Sequence, residues 1–131
     1  MIDNIEQVGR LLPKLEASLP LPATLTPELA AFLRKEAPEY HVPRQCEIVE
    51  ISYAGYSGGI MCRFVLAGPS EGRAFHVSIT HLTFDRRHPL AREIAAYQKH
   101  RIKRMRIEDA DRPSQGRQTI VRYDTPEVAN T

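Results

Sequence analysis

Apolar residues recur at helical spacing in the first part of the chain. Within residues 5–19 these positions are Ile5, Val8, Leu12, Leu15 and Leu19. Asp3 or Asn4 is a suitable N-cap for this helix. Pro13 falls inside the segment and predicts a kink, or two short helices with Pro13 opening the second. The next residues, 19–23, alternate leucine with proline and predict an extended connector.

A second helix is predicted directly after this connector. Thr26 supplies a hydroxyl cap, Pro27 suits the first helical position, and Glu28 places an acid in the first turn. The helix should end before Pro38. Its predicted buried side consists of Leu29, Phe32 and Leu33.

From Gln45 onward the period of the apolar residues changes to two. This alternation predicts three strands, at residues 46–53, 60–67 and 73–83. The two intervening segments, 55–59 and 68–72, are rich in glycine. Short glycine loops connect antiparallel neighbours, so we expect an antiparallel meander.

Symmetric closure of both loops defines a register for this meander. Ala54 would lie opposite Ile60, and Ala67 opposite Arg73. The more uniformly apolar face would then carry Val49, Ile51, Tyr53, Met61, Val65, Phe75, Val77 and Ile79. We expect the helices to pack on this face. The other face would expose an apolar patch of Ile60, Phe64 and Leu66.

The last helix begins at Pro89 and separates apolar from basic residues. At 100° per residue, an apolar arc of about 140° contains Leu90, Ala91, Ile94, Ala95, Ile102 and Met105. Opposite it, a cationic stripe about 21 Å long consists of Arg92, Lys99, Lys103 and Arg106. His100 and Arg104 flank the stripe. Arg101 instead falls on the apolar edge, beside Leu90 and Tyr97.

These elements together predict the α+β class. Residues 1–107 would form one domain of N-terminal helices, a three-stranded antiparallel meander and a C-terminal basic amphipathic helix packed on one sheet face. Residues 108–131 are polar and predict a flexible tail. Residues 118–123 are an alternative short edge strand within that tail.

Composition supports one ordinary globular domain. The chain has 131 residues, of which 42% are hydrophobic and 26% charged. No apolar run reaches the roughly 20 residues that span a bilayer, so we expect no membrane partner. The first residues are acidic where a signal peptide is basic, which favours the cytoplasm. Two cysteines do not form a disulfide framework.

The positive charge is concentrated in one segment. Residues 1–84 hold seven Lys/Arg and nine Asp/Glu, a net charge of −2, whereas residues 85–131 hold eleven and seven, a net charge of +4. Within residues 86–106, eight basic residues stand against Glu93 alone, a net charge of +7. Such a local concentration is typical of an electrostatic footprint for an anionic partner.

Two patterns resemble catalytic sites, and both have simpler interpretations. Residues 55–59 match Gly-x-Ser-x-Gly, but that motif works where a strand turns into a helix, and here a strand follows. We therefore interpret it as a hairpin loop. In the register above, Cys62 and His76 share a sheet face with Glu50 one strand further, which would suit a small thiol enzyme. A buried thiol beside a histidine is the commoner arrangement, and we predict no catalytic residue.

Metal and cofactor sites are also not predicted. A tetrahedral site needs three or four convergent ligands, and the pattern brings together at most two. His76 and His81 are five positions apart, and residues separated by an odd number of positions point to opposite faces of a regular strand.

The sequence favours a non-enzymatic domain that binds an anionic partner through the last helix. Nucleic acid is the first candidate, because phosphates accept contacts from arginine and lysine regardless of base sequence, and an acidic protein surface is the second. The predicted contacts are Arg86, Arg87, Arg92, Lys99, Lys103, Arg104 and Arg106. Asp85 is an alternative, local partner for the first two of these.

Two further functions stay open on the sequence alone. One is a protein adaptor or homodimerisation module that uses the apolar patch on the exposed sheet face. The other is the thiol enzyme based on Cys62 and His76. A solvated helix face without a binding role would also produce the cationic stripe.

Overall fold

The chain folds into three α-helices and two small antiparallel sheets, as described by a computed structural model over residues 2–110 and 121–123. The α+β class is therefore confirmed. The helices are α1 (Ile5–Ala17), α2 (Pro27–Glu36) and α3 (Ala91–Ala110). The strands are β1 (Leu21–Leu25), β2 (Gln45–Ile48), β3 (Glu50–Tyr53), β4 (Ile60–Leu66), β5 (Arg73–Ser78), β6 (Leu82–Thr83) and β7 (Val121–Tyr123). A 3₁₀ helix at Ile79–His81 joins β5 to β6.

The predicted caps of the first two helices are confirmed. Asn4 accepts hydrogen bonds from the backbone N–H groups of Glu6 and Gln7, and Thr26 accepts one from Leu29. Pro13 lies inside α1, which forms one helix and not two. Pro13 and Gly9, whose carbonyl loses its helical hydrogen bond, are both exposed, so water can satisfy that carbonyl.

The predicted connector before α2 is instead a strand. β1 is the central strand of the first sheet, whose order is β2-β1-β6. Leu21, Ala23 and Leu25 are buried, and Pro22 between them is exposed. The alternation of a half-buried strand is thus present, and the prolines obscured it.

The predicted register of the second sheet is wrong by one residue in both hairpins. In this sheet, of order β3-β4-β5-β7, Tyr53 pairs with Ile60 and Leu66 with Arg73. A one-residue shift moves every side chain of a strand to the opposite face. The buried face therefore carries Ile51, Ile60, Cys62, Phe64, Leu66, Phe75 and Val77.

This register explains why the expected apolar patch does not exist. Ile60 and Phe64 are fully buried and Leu66 is 1% exposed. Phe64 pairs with Phe75, and the two rings stack with centroids 6.2 Å apart. The adaptor hypothesis thus loses the surface on which it depended.

The outer predicted strands are also more divided than expected. The first breaks at Val49, so that β2 pairs with β1 in one sheet and β3 with β4 in the other. The third ends at Ser78, where the 3₁₀ helix begins. The Gln98 side chain on α3 donates to the carbonyls of Ile79 and Leu82, at 2.8 and 2.7 Å.

α3 lies against α1, the 3₁₀ helix and the loop before β4. Its Glu93 meets Lys14 near the end of α1, and its His100 meets the Ile2 carbonyl ahead of α1, so the two helices run antiparallel. The predicted placement of this helix on one sheet face is confirmed only in part. No helix within the described residues is long and apolar enough to cross a membrane.

The C-terminal segment is described only in pieces. α3 continues to Ala110, three residues beyond the predicted domain boundary at 107. Residues 121–123 form β7, which pairs with β5 and lies within the predicted edge strand at 118–123. Residues 111–120 and 124–131, where most of the tail was predicted, lie outside the described residues.

Candidate anion-binding interface

The buried side of α3 is anchored by an ion pair in the core. Arg101 and Asp3 are each 1% exposed at the side chain, and Arg101 Nη1 lies 3.0 Å from Asp3 Oδ1. Arg101 Nη2 also donates to the Tyr56 carbonyl at 2.8 Å. A buried charge is tolerated only when it is paired and hydrogen-bonded, and both conditions hold here. Arg101 is therefore part of the core, and its positive charge is not accessible to a ligand at the surface.

Two tyrosines complete the network around Asp3. The hydroxyls of Tyr53 and Tyr97 both donate to Asp3 Oδ2, at 2.9 and 2.8 Å. Tyr97 in turn accepts a hydrogen bond from the Ile60 backbone N–H at 3.0 Å. Burial, helped by the bond to Asp3, raises the pKa of Tyr53 to about 12, and burial likewise raises the pKa of Tyr97. Both hydroxyls therefore stay protonated donors at neutral pH.

The same network holds the glycine-rich loop of residues 55–59. Arg101 binds carbonyls of this loop, and the Ser78 hydroxyl donates to the Gly58 carbonyl at 2.8 Å. The loop connects two antiparallel strands, so its interpretation as a hairpin loop is confirmed. The Gly-x-Ser-x-Gly pattern thus has a structural explanation, because Gly55, Gly58 and Gly59 adopt the positive φ angles of this turn.

The cationic stripe lies on the opposite, solvent-facing side of α3. All four of its residues are exposed: Arg92, Lys99, Lys103 and Arg106. None of them makes an ion pair within the described part of the chain. Arg104, predicted beside the stripe, is half-buried. α3 thus presents a row of exposed cations on a helix that Tyr97 and Arg101 anchor from behind.

The turn before α3 is closed by local contacts. Asp85 accepts from the backbone N–H of Arg87 at 2.9 Å and forms an ion pair with its guanidinium at 3.3 Å. These bonds lower the pKa of Asp85. His88 Nδ1 accepts from the Leu90 N–H at 3.0 Å, one residue before α3 begins. Arg86 and Arg87 remain exposed, but the alternative of Asp85 as a local partner is realised for Arg87.

The structure adds two cations that the sequence reasoning missed. Arg10 and Lys14 on α1 line a groove against α3, with a volume of about 260 Å³. The other lining residues are Gln7, Leu11, Glu93 and Ala96. Residues 7, 10 and 14 share one face of a helix by their spacing. That pattern was visible in the sequence, but the neighbour of this face was not.

The proposed pairing of Cys62 with His76 on one sheet face is wrong. Cys62 pairs with Val77, while His76 pairs with Arg63, so the thiol and the imidazole point to opposite faces. Burial, with a smaller contribution from Cys46, raises the pKa of Cys62. The hypothesis of a thiol enzyme therefore loses its geometric basis.

Thiol reactivity should reflect this burial. Burial raises the pKa of Cys46 from 9.0 to about 12, so its thiolate fraction at neutral pH should fall about a thousandfold. We expect both cysteines to react with iodoacetamide at pH 7 far more slowly in the folded than in the urea-unfolded protein, with the rate rising as pH increases. Mass spectrometry of the labelled peptides measures this. Rapid alkylation of Cys62 in the folded protein would contradict the buried register.

The described residues contain no group of three or more histidine, cysteine, aspartate or glutamate side chains that could hold a metal ion.

No protein-family model matches the chain, and neither the curated proteins nor the solved structures compared with it gave a significant match. The functional conclusion therefore depends on the geometry of the molecule alone.

Proposed function

We propose that this protein is a non-enzymatic domain that binds nucleic acid through the cationic stripe of α3. The observation that carries the proposal is the division of α3 into two sides. One side is fixed in the core by the ion pair of Arg101 with Asp3. The other side holds the four exposed stripe residues.

The stripe suits a phosphate backbone in charge and in rigidity. Between Arg92 and Arg106 the helix rises about 21 Å, a length along which a nucleic acid presents several phosphates. Because the helix is fixed by packing, only the outer parts of the side chains lose freedom on binding. Such contacts set affinity and orientation and carry no base specificity.

An acidic protein surface is the less favoured partner. Protein interfaces depend on aromatic or large apolar anchors near their centre. The exposed apolar residues beside the stripe are the small Ala95 and Ala96, and Ile107 is the large exposed hydrophobe among the described side chains of α3. A surface of this kind is better suited to binding by charge than to binding by apolar burial.

Charge reversal on the stripe tests the proposal. We expect Lys99→Glu with Lys103→Glu to weaken binding to fluorescent duplex and single-stranded DNA and RNA at 0.1 M salt by more than about 25-fold. Each phosphate contact contributes about 0.7–0.9 to the slope of log affinity against log salt concentration. With 1 M salt as the reference, two lost contacts therefore lower the affinity at 0.1 M salt about 25- to 60-fold. Fluorescence anisotropy titration measures the affinity.

A matched pair on α2 serves as the control. Arg34 and Lys35 are adjacent and exposed, so Arg34→Glu with Lys35→Glu makes the same change in net charge away from α3. This control should bind within about threefold of the unaltered protein, because the contact is local. No binding by the unaltered protein, or equal losses in both variants, would refute the proposal. Binding of acidic peptides but not of nucleic acid would favour the protein partner instead.

A further inference from the structure

We propose that the groove between α1 and α3 is a phosphate-binding position, which extends the nucleic-acid site from one helix to two. The inference rests on the proposed function and adds Arg10 and Lys14 as contacts. The groove has a volume of about 260 Å³ and is lined by these two cations together with Glu93 and Ala96 of α3. It takes a phosphodiester group of the same backbone that the stripe binds.

The position of Ala96 makes the groove continuous with the stripe. Along the helix axis Ala96 lies between Arg92 and Lys99, and around the axis it lies about 40° from Arg92 at 100° per residue. It lines the groove together with Arg10. Its small, exposed side chain leaves the floor between the two helices open. A backbone that crosses the stripe at this point therefore meets Arg10, which is exposed and has no ion pair within the described residues.

Lys14 reaches the groove through an exchangeable contact. Its Nζ lies 2.8 Å from Glu93 Oε1, with 49% of the Lys14 side chain and 41% of the Glu93 side chain exposed. An exposed ion pair of this kind contributes little to stability, because solvent screens it. A phosphate can therefore replace Glu93 as the partner of Lys14 at little cost. Glu93 acts in this arrangement as a built-in competitor of the ligand.

Gln7 supplies a neutral hydrogen-bonding group in the same groove. Its Oε1 atom is buried and has no hydrogen-bond partner among the described residues. A buried acceptor without a partner destabilises the folded protein, and a donor on a ligand would satisfy it. The amide can accept from a sugar hydroxyl, or after rotation donate to a phosphate oxygen. The groove thus combines two cations with an amide, a set of groups that suits a nucleotide backbone.

Two variants with opposite expected effects test the groove. Arg10→Gln should weaken binding to RNA and DNA about five- to eightfold at 0.1 M salt. This factor is the affinity that one phosphate contact contributes at 0.1 M salt, with 1 M salt as the reference. Glu93→Gln should strengthen binding by a similar factor, because it removes the competitor and releases Lys14. A role in folding alone would not increase affinity. Thermal melting confirms that each variant is folded.

The control and the outcomes separate this inference from the proposed function. Lys35→Gln removes one exposed cation from α2 and should leave the affinity unchanged. If Arg10→Gln or Glu93→Gln titrates like the unaltered protein while the double variant of Lys99 and Lys103 loses binding, the groove is refuted and the stripe is retained. If the unaltered protein binds neither RNA nor DNA, both proposals are refuted.

Discussion

Replacing Arg101 with methionine is expected to lower the free energy of unfolding by about 3–5 kcal/mol. Methionine preserves most of the volume but leaves the carboxylate of Asp3, 1% exposed, without its cationic partner. The carbonyl of Tyr56 also loses its donor. Urea denaturation measures the change, which should appear as a lower midpoint with an unchanged slope.

Two controls give this result its meaning. Lys99→Met removes an exposed cation from the same helix and should change stability by no more than about 0.5 kcal/mol. Asp3→Asn combined with Arg101→Met removes both charges and should cost less than the sum of the single changes, since the two side chains are coupled. A cost below about 1 kcal/mol for Arg101→Met alone would contradict the role given to this arginine.

Gly59→Ala is expected to be the second most disruptive of the proposed changes. Gly59 has a φ of +67°, and a Cβ there would collide with the Tyr97 hydroxyl and lie 2.9 Å from Arg101 Nη1. The left-handed backbone costs a non-glycine residue about 1–2 kcal/mol, and overpacking adds about 1–3 kcal/mol. We expect a total loss of about 3 kcal/mol in urea denaturation.

Gly55 offers the matched comparison in the same loop. Its φ is +61°, nearly that of Gly59, but a Cβ there would meet no atom of the described residues within 4 Å. Gly55→Ala should therefore cost only the backbone component of about 1–2 kcal/mol. Equal costs at the two glycines would show that the close approach of Tyr97 and Arg101 does not matter for stability.

Local signals predicted the helices well. The Thr26-Pro27-Glu28 start of α2 depends only on neighbouring residues, and the structure places the cap and the first turn there. β1 was missed because the local signals at this segment oppose the structure that it forms. Its prolines are a strong local signal against a strand, whereas its pairing with β2 is a contact between distant segments.

The sheet register could not be obtained from loop composition. Symmetric closure put Ala54 opposite Ile60, but the observed loop places Tyr53 there, with glycines at positive φ within it. The observed register places Ile60, Phe64 and Phe75 together on the buried face, where each is fully buried. Burial therefore gives a better guide to register than loop symmetry does.

The candidate site was predicted in part. The helix wheel placed the stripe toward solvent and Arg101 on the apolar edge, and the structure has both. It could not identify Asp3 as the partner of Arg101, because the two residues are 98 positions apart. The position of Arg10 next to α3 likewise depends on helix packing.

The salt dependence of nucleic-acid binding tests most directly whether the exposed stripe of α3 contacts the phosphate backbone. The affinity of the unaltered protein for one RNA and one DNA oligonucleotide is measured across 0.05–0.5 M salt, beside Lys99→Gln with Lys103→Gln and the control Arg34→Gln with Lys35→Gln. We predict that neutralising the stripe pair lowers the slope of log affinity against log salt by about 1.4–1.8, while the control pair leaves it unchanged. Identical slopes for all three proteins, or no measurable binding at the lowest salt, would contradict binding of nucleic acid through the stripe.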